Sequence, residues 1–245
     1  MIDPSNVTIV PCRLLILNYH RLADATNDRY AVSPAAFEKQ LQLVRELNVP
    51  VIAPGASENN FPFAVAFTFD DGHTSDIDIA QPLLQQFGFT AAFFPVIHFI
   101  GKENRASETQ LRSLSEAKFI IGSHGSTHRD LRRLSQEEQF AELRDSKQQL
   151  EMITGKPVDL FALPYGRYNA NVLQQAKLAG YRAVLSTDTT INTLDDEHFF
   201  LHRWNVRRGT SLRTLRALLS GNGTVPAKLV LTSKAKTMAK KLLNR

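Results

Sequence analysis

The chain has 245 residues, of which 43% are hydrophobic, and this is enough to bury the core of a single α/β domain. Its one cysteine, Cys12, excludes a disulfide framework and a thiolate-rich metal site, so any metal must be held by His, Asp or Glu. The first twenty residues lack the apolar stretch of a secretory signal, and no uncharged apolar run approaches the ~20 residues of a membrane-spanning helix. We therefore expect a cytoplasmic protein.

The net charge of +5 is unevenly distributed along the chain. Residues 207–245 contain ten of the 29 basic residues and none of the 24 acidic ones, which leaves 19 basic against 24 acidic residues in 1–206. The body is therefore mildly acidic and lacks the basic character of a nucleic-acid-binding domain, so we expect no nucleic-acid partner. The composition predicts a folded domain at 1–206 and a basic, helical tail at 207–245.

Short apolar runs alternate with amphipathic stretches in the body. The runs predict buried strands at 14–19, 65–69, 90–96, 119–122, 160–163 and 182–186. Helix-start signals lie between them: Ser33 before Pro34, a capping box that begins at Ser135, and Asn169; Gly155 and Gly180 end the last two helices. Repeated strand–helix units with such apolar strands favour a parallel barrel of the TIM type or a distorted relative of it.

Two adjacent carboxylates end the second apolar run, Ala64-Val-Ala-Phe-Thr-Phe-Asp-Asp-Gly72. The charges of Asp70 and Asp71 repel each other, so the pair calls for a physical reason. Asp-Gly is common turn chemistry, and the pair alone leaves a structural and a functional interpretation open. In a parallel barrel the loops after the strands build the active site, and the pair follows such a strand.

Two histidines follow the fourth apolar run, in Gly122-Ser-His-Gly-Ser-Thr-His-Arg-Asp130. His124 and His128 are four residues apart, so one helical turn would direct both imidazoles to the same side, as a shared metal ion requires. Two histidines and one carboxylate leave room for water, which is typical of a catalytic metal. If Asp71 binds the ion, Asp70 lies beside the activated water and can take its proton, and the implied reaction is hydrolysis of an amide or ester.

Three motifs in this order resemble the polysaccharide deacetylases with NodB homology, the carbohydrate esterases of family 4. The motifs are Thr68-Phe-Asp-Asp-Gly72, Ser123-His-Gly-Ser-Thr-His128 and Phe161-Ala-Leu-Pro-Tyr-Gly166. The resemblance extends from about Leu14 to Val206, so 1–206 is expected to be a deacetylase catalytic domain. It implies a distorted (β/α) barrel and a metal-dependent enzyme that removes N-acetyl groups, usually from N-acetylglucosamine units, and releases acetate.

The resemblance also assigns roles to five residues. It implies that Asp70 is the general base and that Asp71, His124 and His128 bind Zn²⁺ or a similar divalent ion. The backbone N–H of Tyr165 would help to stabilise the oxyanion. An N-acetylated glycan is the expected partner, and the oligomeric state stays open.

The first departure from the family pattern concerns the tether of the base. Many members carry an arginine in the third motif, where this chain has Ala162. Arg203, in Phe200-Leu-His-Arg-Trp-Asn-Val206, is the candidate replacement. The alternative is an ordinary surface or ion-pairing arginine.

The second departure concerns the general acid, which many members carry as a histidine in a Leu-x-His motif late in the chain. His202 is not a close match, but His20 ends the first predicted strand in Leu14-Leu-Ile-Leu-Asn-Tyr-His20. A closed barrel brings its first and last strands together, so a shifted motif would leave its histidine in the same pocket. Exopolysaccharide deacetylases of the poly-N-acetylglucosamine type resemble this chain in opening with a Tyr-His pair. His20 is therefore the predicted acid, with His202 in reserve.

The tail predicts a basic amphipathic helix between Pro226 and Leu243, with a narrow apolar stripe. It is either a solvated terminal helix or a helix that lies on an anionic inner membrane face beside a lipid-linked precursor. Two other functions compete with glycan deacetylation. One is hydrolysis of a cyclic amide or another small non-sugar molecule, and the other is glycan binding without turnover.

Overall fold

Short parallel strands surround the centre of the molecule in the computed structural model, which describes residues 12–24, 26–56, 61–194 and 199–220. The strands are β1 (Arg13–Tyr19), β2 (Arg21–Leu22), β3 (Ala31–Val32), β4 (Phe63–Asp70), β5 (Ala92–Phe94), β6 (Ile120–Ile121), β7 (Leu160–Ala162), β8 (Ala183–Leu185), β9 (Asn192–Thr193), β10 (Phe200–Leu201) and β11 (Trp204–Asn205). The α-helices are α1 (Pro34–Glu46), α2 (Gln81–Phe87), α3 (Glu108–Glu116), α4 (Gln136–Thr154), α5 (Ala170–Leu178) and α6 (Leu212–Leu219). Each of the six predicted strands is present, with ends that differ from the prediction by at most two residues.

Two groups of parallel strands are joined into a distorted (β/α) barrel, as predicted. The first group has the order β11-β1-β4-β5-β6, and the second has the order β10-β8-β7. A parallel bridge between Ser123 and Phe161 connects the groups on one side. On the other side, the segment 200–205 connects them, because β10 pairs with β8 and β11 pairs with β1. The first and last strands are therefore neighbours.

Side chains alternate between the barrel interior and the surrounding helices. In β1, Leu14 and Ile16 belong to the interior cluster, whereas Leu15 packs in the outer cluster with the helices. In β4, Ala64 and Ala66 face the interior in the same way. This alternation follows from the two-residue repeat of a strand, and the strands are apolar throughout because both of their faces are covered.

The predicted helix ends are confirmed. Ser33 accepts a hydrogen bond from the N–H of Ala36 in front of α1, and Ser135 forms a complete capping box in front of α4. Gly155 ends α4 in the left-handed conformation, with φ +67°. Helices α2 and α3 are additional to those predicted from the sequence, whereas α6 lies within the tail that was predicted to be helical.

The described part of the tail ends shortly after α6, whose leucines Leu215, Leu218 and Leu219 are buried. This helix packs against α1. The basic helix predicted between Pro226 and Leu243 lies outside the described residues, so the domain boundary at 206 and the membrane contact stay predictions. Of the helices that the structure describes, none has the length and apolar character needed to cross a bilayer.

Candidate active site

The predicted site residues lie at the carboxyl ends of the barrel strands. His20 follows β1, Asp71 follows β4, His124 follows β6 and Tyr165 follows β7. All four line one cleft of about 880 Å³, together with Asp70 and His128. The barrel therefore brings residues from distant parts of the chain to one edge, as parallel strands require.

Three side chains at the bottom of this cleft form a candidate metal site. Oδ1 of Asp71 lies 3.7 Å from Nε2 of His124 and 3.5 Å from Nε2 of His128. These donor atoms all lie within 4.8 Å of one another, and Oδ1 of Asp71 is buried without a hydrogen-bond partner among the described residues. Two imidazole nitrogens and one carboxylate oxygen fit Zn²⁺ or a related divalent ion.

Both histidines offer a free nitrogen lone pair to this site. Nδ1 of His124 lies 2.7 Å from the carbonyl oxygen of Ala162, which can only accept, so Nδ1 carries the proton and Nε2 is free. Burial lowers the pKa of His128 to about 4. The His128 imidazole is therefore neutral at neutral pH, as metal ligation requires.

The predicted helical turn from His124 to His128 is wrong, because this segment is a loop. Gly125 has φ +86° and His128 has φ +60°, both in the left-handed region that a right-handed helix excludes. The two rings still approach each other, with centroids 4.9 Å apart. The loop thus achieves the convergence of the imidazoles that was predicted from helical spacing.

The carboxylate of Glu142, on α4, holds the histidine loop in this shape. Its Oε2 accepts hydrogen bonds from the backbone N–H groups of Ser126 and Thr127, each at 3.0 Å. Its Oε1 accepts from the hydroxyl of Thr127 at 2.5 Å and forms an ion pair with Arg129 at 3.2 Å. Glu142 is only 5% exposed. Its role could not be predicted from the sequence, since a single acidic residue within an amphipathic helix carries no signal of its partners.

The candidate base, Asp70, is bound by Arg203 through both of its oxygens. Nη1 of Arg203 lies 2.7 Å from Oδ1 and Nη2 lies 2.9 Å from Oδ2, while Asn18 donates to Oδ2 at 3.0 Å. Arg203 is fully buried, which excludes the alternative of a surface arginine. Burial alone would raise the pKa of Asp70, but the charge of Arg203 outweighs it and holds that pKa well below its usual range. Asp70 is therefore an ionised carboxylate.

The side chains of Asp70 and Asp71 face different partners, which explains how two mutually repelling carboxylates can be neighbours in the chain. Asp70 continues the inward alternation of β4 and meets Arg203 in the barrel interior. Asp71 has φ +74°, which turns its side chain away from that interior and towards the two histidines. Gly72 also has φ +63°, and a Cβ there would lie 2.9 Å from Cβ of Pro95, so the turn leaves no room for a side chain.

The structure separates the two candidate acids. His20 lines the cleft, with its ring stacked on Tyr30 at 4.7 Å between centroids. Burial lowers the pKa of His20, and the negative charges of Asp70 and Asp71 partly oppose this shift. His202 is not among the residues that line the cleft, and its Nδ1 lies 3.1 Å from the hydroxyl of Ser186.

Tyr165 lies in the turn Pro164–Gly166 after β7, with φ +59°. Its ring is about half exposed and contacts His128, with 4.6 Å between the ring centroids. The Tyr165 ring therefore lies beside a candidate metal ligand. The backbone N–H of Tyr165 as an oxyanion donor stays a prediction.

A family model described as polysaccharide deacetylase matches residues 58–184, which is just over half of the chain. The chain belongs to the polysaccharide deacetylase family. The matched range contains Asp70, Asp71, His124, His128 and Tyr165, whereas His20 and Arg203 lie outside it. Membership identifies the protein as a deacetylase that acts on an acetylated carbohydrate, in a family whose members generally depend on a metal.

Individual relatives agree with this membership. The deacetylase is 27% identical over 208 residues to YxkH of Bacillus subtilis (strain 168), a protein named for an expected polysaccharide deacetylase activity; the match covers 82% of this chain and 74% of YxkH. The fold is similar to that of the Streptococcus pyogenes deacetylase PplD, with a TM-score of 0.78 and 24% identity over 86% of this chain and 98% of PplD. It is also similar to IcaB from Ammonifex degensii, with a TM-score of 0.76 and 20% identity over 86% and 97% of the two chains.

Proposed function

We propose that this deacetylase is a metal-dependent hydrolase that removes N-acetyl groups from N-acetylglucosamine-type sugars of a polysaccharide or glycan precursor and releases acetate. The observation that carries the proposal is the convergence of Asp71, His124 and His128 beside the ionised carboxylate of Asp70. Hydrolysis of an acetamide needs a base for the attacking water, a partner for the developing oxyanion and a proton for the departing amine. The cleft contains a candidate for each task.

Asp70 is proposed to take the proton of the attacking water. Arg203 keeps it ionised and fixes both of its oxygens, and Nε2 of His124 lies 4.0 Å from its Oδ2. A divalent ion held by Asp71, His124 and His128 would polarise the acetyl carbonyl and lower the pKa of a nearby water. The base thus lies within a few ångströms of the site where a water would be activated.

His20 and Tyr165 are proposed to complete the reaction. His20 lines the same cleft as the aspartates and is assigned as the proton donor to the departing amine. The backbone N–H of Tyr165, in its left-handed turn beside His128, is assigned to the oxyanion. Arg203 acts through Asp70 and is a positioning residue.

The walls of the cleft favour a glycan over a small cyclic amide. Tyr30 and Tyr165 line it and offer aromatic surface, and exposed side chains such as Arg208 form its rim. A cyclic-amide hydrolase would be expected to enclose its small substrate. A cleft of about 880 Å³ with exposed residues at its edge is instead suited to a sugar that is part of a longer chain.

The test is acetate release from a panel that contains N-acetylglucosamine oligomers, a polymeric N-acetylated glycan and several cyclic amides. The full chain is assayed after loading with Zn²⁺ and again after treatment with a chelator. We expect turnover of the glycans and its loss with the chelator. Turnover of the cyclic amides alone would contradict the proposed substrate, and sugar binding without acetate release would indicate a binding protein.

A further inference from the structure

Three arginines lie on one wall of the active-site cleft. Arg29 belongs to the turn between β2 and β3, whereas Arg207 and Arg208 follow β11. The two segments are joined directly, because the N–H of Arg208 donates to the carbonyl of Arg29 at 3.1 Å and its guanidinium donates to the carbonyl of Thr26. Positive charges from two distant parts of the chain are thereby held side by side.

Tyr30 connects this wall to the catalytic end of the cleft. The guanidinium of Arg29 lies 4.8 Å from the centre of the Tyr30 ring, and that of Arg207 lies 5.4 Å from it. The same ring stacks on His20. A group bound by the arginines would therefore lie close to the sugar whose amine His20 is proposed to protonate.

None of these arginines forms an ion pair with a carboxylate of the described residues. The carboxylates that line the cleft have other neighbours: Asp70 binds Arg203, Asp71 faces the histidines, and Asp188 accepts from the hydroxyl of Tyr168. Nε of Arg207 is buried without a hydrogen-bond partner within the described part of the chain. A divalent ion in the cleft would add further positive charge, so the wall is electrostatically suited to an anion.

We propose that Arg29, Arg207 and Arg208 form a phosphate subsite, and that the natural glycan carries a phosphate ester next to its N-acetylated sugar. This inference rests on the proposed function and narrows its substrate class. Guanidinium groups donate several hydrogen bonds in a fixed fork that matches the oxygens of a phosphate, and three of them exceed the need of a single carboxylate. The Tyr30 ring packs against the guanidinium groups of Arg29 and Arg207, and the carbonyl of Thr26 accepts a hydrogen bond from the guanidinium of Arg208, so all three groups are held before a ligand arrives.

Binding is measured first, by calorimetry on the full chain loaded with Zn²⁺ and carrying Asp70→Asn to prevent turnover. The probes are N-acetylglucosamine, its 1-phosphate, the methyl diester of that phosphate, and N-acetylglucosamine linked to a uronic acid. We expect a phosphate probe to bind about tenfold or more tightly than the neutral sugar, since hydrogen bonds to charged groups are the stronger ones. A preference for the monoester indicates a terminal sugar phosphate, and a preference for the diester indicates a phosphodiester linkage.

Matched variants test whether any preference for phosphate depends on Arg207 and Arg208. Arg207→Gln, and separately the exposed Arg208→Gln, should remove most of the gain from phosphate while binding of the neutral sugar changes by less than about twofold. Arg182→Gln is the control, because Arg182 is exposed at the opposite end of the barrel, in front of β8. It removes the same charge and should leave the preference intact.

The possible outcomes distinguish failure of the phosphate subsite from failure of the proposed function. Equal binding of neutral and phosphorylated sugar, a preference that survives both variants, or a preference for the uronic acid would overturn the phosphate subsite. Acetate release from neutral glycans in that case would leave the proposed function standing. Arginine-dependent phosphate binding, together with no acetate release from any probe by the Zn²⁺-loaded native chain, would support the subsite and contradict the deacetylation of these sugars.

Discussion

The two neighbouring carboxylates Asp70 and Asp71 differ in their surroundings more than in their chemistry. One is 2% exposed and paired with a buried guanidinium, whereas the other has an unpartnered oxygen that faces two imidazole nitrogens. Asp70, paired with Arg203, stays ionised whether or not a metal is bound, whereas Asp71 gains a partner only when a metal binds. This division predicts different consequences for the two amide substitutions.

Asp70→Asn should leave the metal bound and lower the turnover number by about 10²–10⁴-fold, the range for a lost general base. Asp71→Asn should instead weaken the metal, because it removes the anionic ligand. Metal content by mass spectrometry and acetate release are measured on both variants. Loss of the metal from the Asp70 variant would show that the assignment of the two roles is reversed.

Arg203 should control the pH dependence of the enzyme. It holds the pKa of Asp70 low, so its removal by Arg203→Met should raise that pKa and move the acidic limb of kcat/KM to higher pH. Breaking a buried ion pair costs about 3–5 kcal/mol, so thermal unfolding is recorded in parallel. Arg203→Lys keeps a cation and should fold with a smaller shift. An unchanged pH profile in both variants would contradict this role.

His20 is predicted to supply the proton to the amine. His20→Ala should strongly lower the turnover number with little change in metal content, whereas His202→Ala should have a much smaller effect, because His202 does not line the cleft. The two variants are compared at equal zinc content with an N-acetylglucosamine oligomer. The opposite ranking would place the acid at the end of the chain.

The histidine loop between β6 and α4 is the element on which the metal site depends most. Glu142 accepts two backbone hydrogen bonds and one hydroxyl hydrogen bond from it, and a buried N–H left without a partner costs about 1–3 kcal/mol. Gly122 opens the loop in a tight space, since a Cβ there would lie 2.3 Å from the Phe94 ring. The loop is therefore fixed from both ends before any ion binds.

Glu142→Ala should release this loop and weaken the metal by about 10- to 100-fold, as for other groups that orient metal ligands. Glu142→Gln, which keeps one acceptor, should fall between that variant and the native chain. Glu137→Gln on the same helix is the control, because Glu137 is exposed. Zinc affinity is measured by competition with a chromogenic chelator. Native affinity in the alanine variant would contradict the positioning role.

Elements with a local signal could be predicted from the sequence, whereas those set by tertiary contacts could not. The apolar runs gave the six main strands, and Ser33 and Ser135 gave two helix starts, because alternation and capping are local. The spacing of His124 and His128 correctly indicated convergence but wrongly indicated a helix. The loop conformation depends on Glu142, which lies fourteen residues beyond His128 and leaves no trace in the motif.

The contact between Arg203 and Asp70 could be predicted only with the help of the family pattern, because no local sequence signal connects the two residues. These residues are 133 positions apart, and no spacing rule connects them. Arg203 was a candidate only because the pattern lacked its arginine at Ala162, and the closure of the barrel brings it to the base. No family pattern pointed to Arg29, Arg207 and Arg208, so only the folded structure shows that these three arginines lie together.

At the scale of the whole molecule, the barrel collects the candidate ligands, base and acid from the ends of three strands, β1, β4 and β6, into one cleft. The closure of β11 on β1 places His20 near the last strand, which is the arrangement that the shifted acid requires. The strands set the positions, and the loops after them supply the chemistry. We propose that this cleft deacetylates glycans through a single metal centre.

The most direct test is to strip the full chain of metal, add Zn²⁺ back in steps, and record bound zinc together with acetate release from an N-acetylglucosamine oligomer. We predict no acetate release from the stripped protein and a rise in activity that ends at about one ion per chain. His128→Ala should neither bind the ion tightly nor recover activity. Full activity of the metal-free protein would contradict the proposed metal dependence.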